Sequence, residues 1–281
     1  NEIAAKVLAG RWIAGTHADD ALAVAQAFNH RRIKVLLNDL GEAYTDKGKV
    51  KSTVSKYRYL LDRIKSEKLG ASLSVKPSQL GLLIDGKLMR REYMGLVKSA
   101  NERGIFVWLD MEEHNTVDST IEMYEESLRY GNTGICIQSY LRRSMEDIRR
   151  IVKEGGTIRL VKGAYAEPKE IAFQSRSEVT AHFDKLMDYL FKNSRHFMIA
   201  THDLNMVNKA VRMEKRHGKQ VMLGMLKGIM NENAVRLAES GEEMHIYVPF
   251  GTDWAAYSYR RLTEAGHASL ILKSLMKRQR I

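Results

Sequence analysis

The stretch from Gly134 to Lys162, GICIQSYLRRSMEDIRRIVKEGGTIRLVK, decides the fold. It opens on one short aliphatic run, Gly134 to Gln138, and closes on another, Thr157 to Lys162. Between them Ser144 precedes Met145 with Asp147 three residues on, which predicts a helix start capped by Ser144. A strand, a helix and a second strand joined by short connections make a parallel pair. The same alternation extends in both directions. Ile33 to Leu40 (ending in Gly41-Glu42), Ala71 to Lys76 and Ile105 to Asp110 precede the stretch. His196 to Thr201, Gln220 to Leu226 and Met244 to Val248 follow it, which makes eight runs.

Helical stripes fill the gaps. Val50, Val54, Tyr57, Leu61 and Ile64 form one, Val117, Ile121, Tyr124 and Leu128 a second, and Val179, Phe183, Leu186 and Leu190 a third. At 281 residues the chain suits one closed barrel, and eight units favour closure over an open doubly wound sheet. The expected fold is therefore α/β, a (β/α)8 TIM-like barrel. Residues 1–32 form an N-terminal helical segment and residues 33–281 the catalytic barrel.

Composition narrows the partners. Hydrophobic residues make up 44%, enough for a sizeable core, and no apolar run reaches the length of a membrane-spanning helix. The chain opens Asn1-Glu2-Ile3, as expected of a trimmed or processed protein. Its single cysteine, Cys136, excludes an intramolecular disulfide and fits a cytoplasmic or equally reducing compartment. Within its aliphatic run Cys136 reads as a small buried hydrophobe rather than a reactive thiol. A net charge of +11 attracts nucleic acid, an anionic membrane surface or an anionic ligand. No zinc-finger, RNP or Walker spacing accompanies it, so nucleic acid is not the expected partner. Near the C-terminus Leu270, Ile271, Leu275 and Met276 alternate with Lys273, Lys277, Arg278 and Arg280. That is a basic amphipathic helix, which either docks on acidic lipid at the inner face of a membrane or covers the barrel as a solvated helix.

A barrel carries its chemistry at the carboxyl ends of its strands. Glu42, Lys76, Asp110, Gln138, Lys162 and His202 stand at or just past six such ends, and Arg159 lies within the fifth strand. Strands buried on both faces should be apolar, so these residues predict a polar pocket over the mouth. After Tyr247-Val248-Pro249-Phe250-Gly251 comes a helix that Thr252 or Asp253 can cap. Tyr257, Arg260, Arg261 and Glu264 share one face of it, and that face cannot pack on apolar strands. It should lie over the mouth with both guanidinium groups inward, where a planar fork suits a carboxylate. No metal-ligand spacing and no dinucleotide fingerprint is present; His17, His30, His114 and His182 are scattered. The residues alone thus predict a positive, aromatic-walled pocket for a small anion. They leave the reaction open, including a Schiff-base lyase or aldolase using Lys76 or Lys162.

Eight segments together resemble the proline dehydrogenase family. They are Leu40-Gly41-Glu42-Ala43, Ser74 to Gly81, Leu109-Asp110-Met111-Glu112, Ile137 to Leu141, Arg159 to Tyr165, Ala200-Thr201-His202-Asp203, Tyr247 to Gly251, and Tyr257-x-x-Arg260-Arg261-x-x-Glu264. The resemblance implies a flavoprotein with FAD as cofactor that oxidises L-proline to Δ1-pyrroline-5-carboxylate. It implies that Arg260, Arg261 and Lys76 clamp the substrate carboxylate. Asp110, Tyr247, Tyr257 and Glu264 would shape the substrate side, with Glu42 bracing an arginine. Arg159 would approach flavin N5 and Gln138 the pyrimidine edge. Lys162, Gly163, Ala164 and Tyr165 would follow the cofactor, with Thr201 and His202 near its ribityl-diphosphate portion. A membrane quinone is the favoured electron acceptor, with dioxygen or another protein as alternatives. The seventh strand departs from the family pattern: Gly224 stands where a glutamine is expected and Lys227 where an aromatic is. The departure concerns the grip on the adenine end of FAD and leaves FMN as an alternative. Tyr257, rather than a smaller residue, points to proline rather than hydroxyproline.

Overall fold

The computed structural model describes residues 10–255 together with Tyr257 and Ser258. Helix α1 (Ala18–Asn29) leads into β1 (Lys34–Asp39), α2 (Lys47–Ser66), β2 (Ala71–Val75), α3 (Gly86–Asn101) and β3 (Val107–Leu109). Then come α4 (Val117–Ser127), β4 (Thr133–Gln138), α5 (Ser144–Lys153), β5 (Thr157–Val161) and α6 (Arg176–Asn193). The chain continues through β6 (Phe197–Ala200), α7 (Leu204–His217), β7 (Met222–Leu226), α8 (Asn231–Glu239) and β8 (Glu243–Phe250). The strands are parallel and form a closed barrel in sequence order, sealed by β1 against β8 from Lys34↔His245 to Asp39↔Phe250. All eight predicted strands are present.

Alternation along each strand sorts the side chains. Val35, Leu37, Leu73, Val75, Ile135 and Ile158 face outward into the layer shared with the helices. Leu36, Trp108 and Met198 meet in a separate cluster inside the barrel. Gly134 makes room there, because a Cβ on it would lie 2.5 Å from the Trp108 ring. The predicted stripe Val50, Val54, Tyr57, Leu61 and Ile64 is buried along α2. Burying each such aliphatic side chain contributes about 1.5–3 kcal/mol. Tyr57 does more than pack. Its hydroxyl accepts from Asp39 N (3.2 Å) and donates to Ser74 O (3.0 Å), joining β1 to β2.

Helix α1 packs against β1 and β8, the place a regular barrel gives to the helix after its last strand. Of the residues after β8, Trp254, Ala255, Tyr257 and Ser258 are helical. Ser144 does not act as predicted. It is the first residue of α5 rather than its cap, and its hydroxyl donates to Gln138 O at 2.6 Å. Proximity to the end of β4 wins the hydroxyl, while Asp147 pairs with Arg143 (2.9 Å) instead of closing a capping box. The basic C-terminal stretch, Leu270 to Arg280, lies outside the described residues.

Candidate active site

Inward-facing positions in and just past β2, β3, β5 and β8 put five polar side chains in contact. Asp110, directly after β3, is the hub. Arg159 reaches Asp110 Oδ1 from β5 as a buried ion pair. The Ser74 hydroxyl donates to the same oxygen at 2.5 Å and accepts from Arg159 Nη1 at 3.1 Å. On Oδ2 the Tyr247 hydroxyl donates at 3.1 Å and Lys76 Nζ approaches to 3.6 Å. Asp110 and Arg159 are 5% exposed and Lys76 8%, so water screens little of this. Arg159 also lies 5.5 Å from the Trp108 ring centroid and 5.7 Å from that of Tyr247, which suits a delocalised cation.

Burial raises the pKa of Asp110, but Arg159, Lys76 and the Ser74 hydrogen bond outweigh it, and the carboxyl sits below its ordinary range. Burial pulls Lys76 down, and Tyr165, Asp110, Glu112 and Glu42 more than restore it, so the ammonium is held above its ordinary value. Both groups are therefore charged at neutral pH. A second layer steadies them. Glu112 accepts from Ser78 N (2.8 Å) and Ser78 Oγ (2.7 Å), and Ser78 Oγ accepts from Ala43 N (2.8 Å). Gln138 Nε2 donates to Glu112 O at 2.9 Å. Glu112, Ser74 and Ser78 had no predicted role, although all three lie within segments that carry the family resemblance.

Beside the network opens a cavity of about 230 Å³. Lys76, Asp110, Gln138, Arg159, Tyr247 and Tyr257 line one part of it. Lys162, Gly163, Ala164, Tyr165, Thr201 and His202 line another, and Met198, Ala200, Gly224 and Met225 give it an apolar side. Lys162 Nζ donates to Thr180 Oγ1 and Asp203 Oδ2, both at 2.9 Å. Gly163 is required by geometry: its φ is +118°, and a Cβ there would fall 2.2 Å from the Tyr140 ring. The following loop is tied across to the turn after β3, where Glu167 accepts from His114 N at 2.8 Å. His202 Nε2 accepts from Leu226 N at 3.0 Å, which orients its ring. Cys136 is buried and lines the cavity, and burial pushes its thiol up.

Glu42 lines a neighbouring cavity of about 330 Å³ together with Lys76, Thr252, Asp253 and Tyr257. The structure thus brings Glu42, Lys76, Asp110, Gln138, Arg159, Lys162 to Tyr165, Thr201, His202, Tyr247 and Tyr257 to one end of the barrel. Arg260, Arg261 and Glu264 lie outside the described residues. Of the two departures, Gly224 faces the cavity, where a Cβ would press on Met198 Sδ at 2.9 Å and Ala200 Cβ at 3.0 Å. Lys227 points elsewhere, with its ammonium among backbone carbonyls of residues 10–13.

Comparison with known proteins places this arrangement. The profile of the family described as proline dehydrogenase matches residues 21–273. The chain is 28% identical over 275 residues to proline dehydrogenase 1 of Bacillus subtilis, covering 96% of this chain and 91% of that one. It is 30% identical over 283 residues to a proline dehydrogenase of Deinococcus radiodurans, covering 96% and 90%. Proline utilization A from Bdellovibrio bacteriovorus, solved after inactivation by N-propargylglycine, shares the fold with a TM-score of 0.87 at 23% identity. That likeness covers 95% of this chain and 34% of the other, so the chain spans about a third of that solved protein's length. A match that runs from α1 past the last strand takes in the whole barrel and its mouth, and the chain belongs to the proline dehydrogenase family.

Proposed function

We propose that this chain oxidises L-proline to Δ1-pyrroline-5-carboxylate with FAD as its cofactor, the first step of proline degradation. The observation that carries the reading is the buried Lys76–Asp110–Arg159–Tyr247 network standing beside a cavity that is polar along part of its wall and apolar along another. The donor set fits a flavin. Met198, Ala200, Gly224 and Met225 suit the faces of a flat ring, while Gln138, Arg159, Lys162, Thr201 and His202 supply polar groups for its edge and tail. These five, with Gly163, Ala164 and Tyr165, would hold FAD, which when bound supplies the hydride acceptor at N5.

The protein's own part is to hold the substrate. Lys76 remains an ammonium and offers a fixed positive charge to the proline carboxylate, with Arg260 and Arg261 expected to join it. Asp110 holds Lys76 and Arg159 at their stations, so neither cation reorganises when substrate enters. Tyr247 and Tyr257 wall the substrate side, Glu264 is expected to complete it, and Glu42 adds negative charge near Lys76. The substrate amine must be neutral before hydride leaves its carbon, and the cations around it favour that proton's departure. Schiff-base chemistry at Lys76 is disfavoured, because it needs a readily deprotonated amine and Lys76 is held as a cation.

Membrane quinone is the proposed electron acceptor, reached from the cytoplasmic side through the basic C-terminal stretch. Among the described residues no helix is long and apolar enough to cross a membrane. Deleting residues 266–281 should weaken association with anionic liposomes, and unchanged association would remove that part of the proposal. The central test is an absorption spectrum before and after anaerobic L-proline. Flavin bands that bleach on addition are the expected result. Bands that persist would move the substrate elsewhere, and a colourless protein that takes up no FAD would overturn the reading.

A further inference from the structure

Lys227 is a lysine whose buried head meets no carboxylate within ion-pairing distance among the described residues, and it is 8% exposed. Its Nζ donates to Gly10 O at 3.2 Å, Arg11 O at 2.8 Å and Ile13 O at 3.2 Å. An ammonium has three N–H donors, and each of them finds a carbonyl. Such a cage suits a cation and nothing apolar, since a Met or Leu head would leave buried carbonyls without a donor.

The segment it grips is a strap along the rim of the mouth. Ala14 N donates to Pro249 O (2.9 Å) and Gly251 N to Gly15 O (2.9 Å), which lays residues 10–15 along the end of β8. At β7 the strap passes so close to Gly228 that a Cβ there would lie 2.1 Å from Arg11 O. Trp12 is 1% exposed and packs with Ile13, Leu40, Leu226, Ile229 and Tyr257. Its indole Nε1 donates to Ser258 Oγ at 3.2 Å. Tyr257, beside Ser258, lines the cavity that also holds Lys76, Asp110 and Tyr247. One continuous set of contacts therefore runs from the Lys227 ammonium through the strap and Trp12 to the cavity wall.

We infer that Lys227 is a positioning residue: it clamps residues 10–15 on the rim of the mouth and thereby sets Tyr257 in the wall of the substrate cavity. The lysine at this place thus serves the cavity wall at Tyr257 rather than the cofactor's far end. The inference rests on the proline-oxidising reading only for its kinetic arm.

Lys227→Met keeps length and removes the donors. In the flavin-loaded full chain it should raise KM for L-proline by about tenfold with kcat changed less than about twofold, as misplacement of a binding wall predicts. Lys227→Arg should recover part of the loss. Amide hydrogen exchange in the same variant should quicken at residues 10–15 and 254–258, and stay as in the parent protein across β2 to β5. If Lys227→Met does not fold, Trp12→Phe with Ser258→Ala cuts the same path beyond the cage, and the same rise in KM and in exchange at 254–258 is expected. Unchanged exchange at 254–258, or a lowered melting temperature with KM untouched, overturns the inference. A parent protein inactive on proline would sink the functional reading instead, and the exchange pattern would still decide whether the strap sets the cavity wall at Tyr257.

Discussion

Asp110 and Glu243 are both carboxylates held between two basic groups, at opposite ends of the barrel. Glu243, where β8 begins, accepts from Lys34 Nζ at 2.7 Å and from His245 Nε2 at 3.2 Å, with its side chain 24% exposed. Asp110, beyond the end of β3, meets Arg159 and Lys76 with almost no exposure. Solvent reaches Lys34 and Glu243 in the first cluster and can replace a partner lost there, although His245 is buried. Little reaches the second, so its charges depend on one another. A buried ion pair is weak evidence for stability, since well-packed apolar residues often serve as well, but removing one member leaves a stranded charge. The floor cluster thus reads as ordinary strand-end pairing, and the mouth network as charge retained for chemistry.

The largest effect should come from Asp110→Asn. It keeps the volume, strands two buried cations and should lower stability by about 3–5 kcal/mol in chemical denaturation. Proline turnover should fall with it, and saturating substrate should not restore the rate. An Asp110→Asn protein as stable as its parent would erase the distinction between the two ends. Gly163→Ala tests the mouth at the level of backbone. It sets a Cβ into the Tyr140 ring at a φ of +118°, and should cost about 1–3 kcal/mol together with flavin retention, read by denaturation and by the flavin-to-protein absorbance ratio.

Glu243→Gln should cost less, on the order of 1 kcal/mol after allowance for solvent screening. Hydrogen bonding from His245 and then Lys34 lowers this carboxyl to about 2, although partial burial opposes them. Its pKa is lower folded than unfolded, so its contribution is complete above the unfolded value of about 4.5 and fades as pH drops toward 2. Melting curves of parent and variant should therefore converge in acid. Burial lowers His245, so its contact with Glu243 is a hydrogen bond from a neutral ring at neutral pH. The smallest effect concerns Glu214, also near the floor, which burial and the neighbouring Glu242 raise to about 7. A raised carboxyl favours the folded state at low pH and loses that advantage as pH rises from about 4.5 through 7. Glu214→Gln should stabilise the protein by a few tenths of a kcal/mol at pH 8 and by nothing at pH 4. A stabilisation that grew toward acid would contradict the assignment.

The strand ends were legible because a barrel sets its active residues in a repeating place. Lys76, Asp110, Gln138 and Lys162 each end an apolar run, and that position alone points them to the mouth. Arg159 was visible as a charge inside a strand, where alternation leaves it the barrel interior. The roles of Ser74 and Glu112 were not legible, since a serine or glutamate within a motif segment carries no local mark of its partner. Ser144 shows how local pattern can mislead: it has the spacing of a cap, yet Gln138 O, brought near by the turn after β4, takes its hydroxyl.

Alternating apolar runs and helical stripes by themselves determined the eight-stranded barrel and the end of it that bears charge, because both follow from spacings of a few residues. The strap along the rim of the mouth was decided only in the folded chain. Trp12 and Ser258 are 246 positions apart, and Lys227 lies more than 210 positions from each carbonyl it binds. No periodicity links such positions. Closing β8 onto β1 brings residues 10–15, Lys227 and Ser258 to one rim, and only then does a buried lysine find three carbonyls to bind.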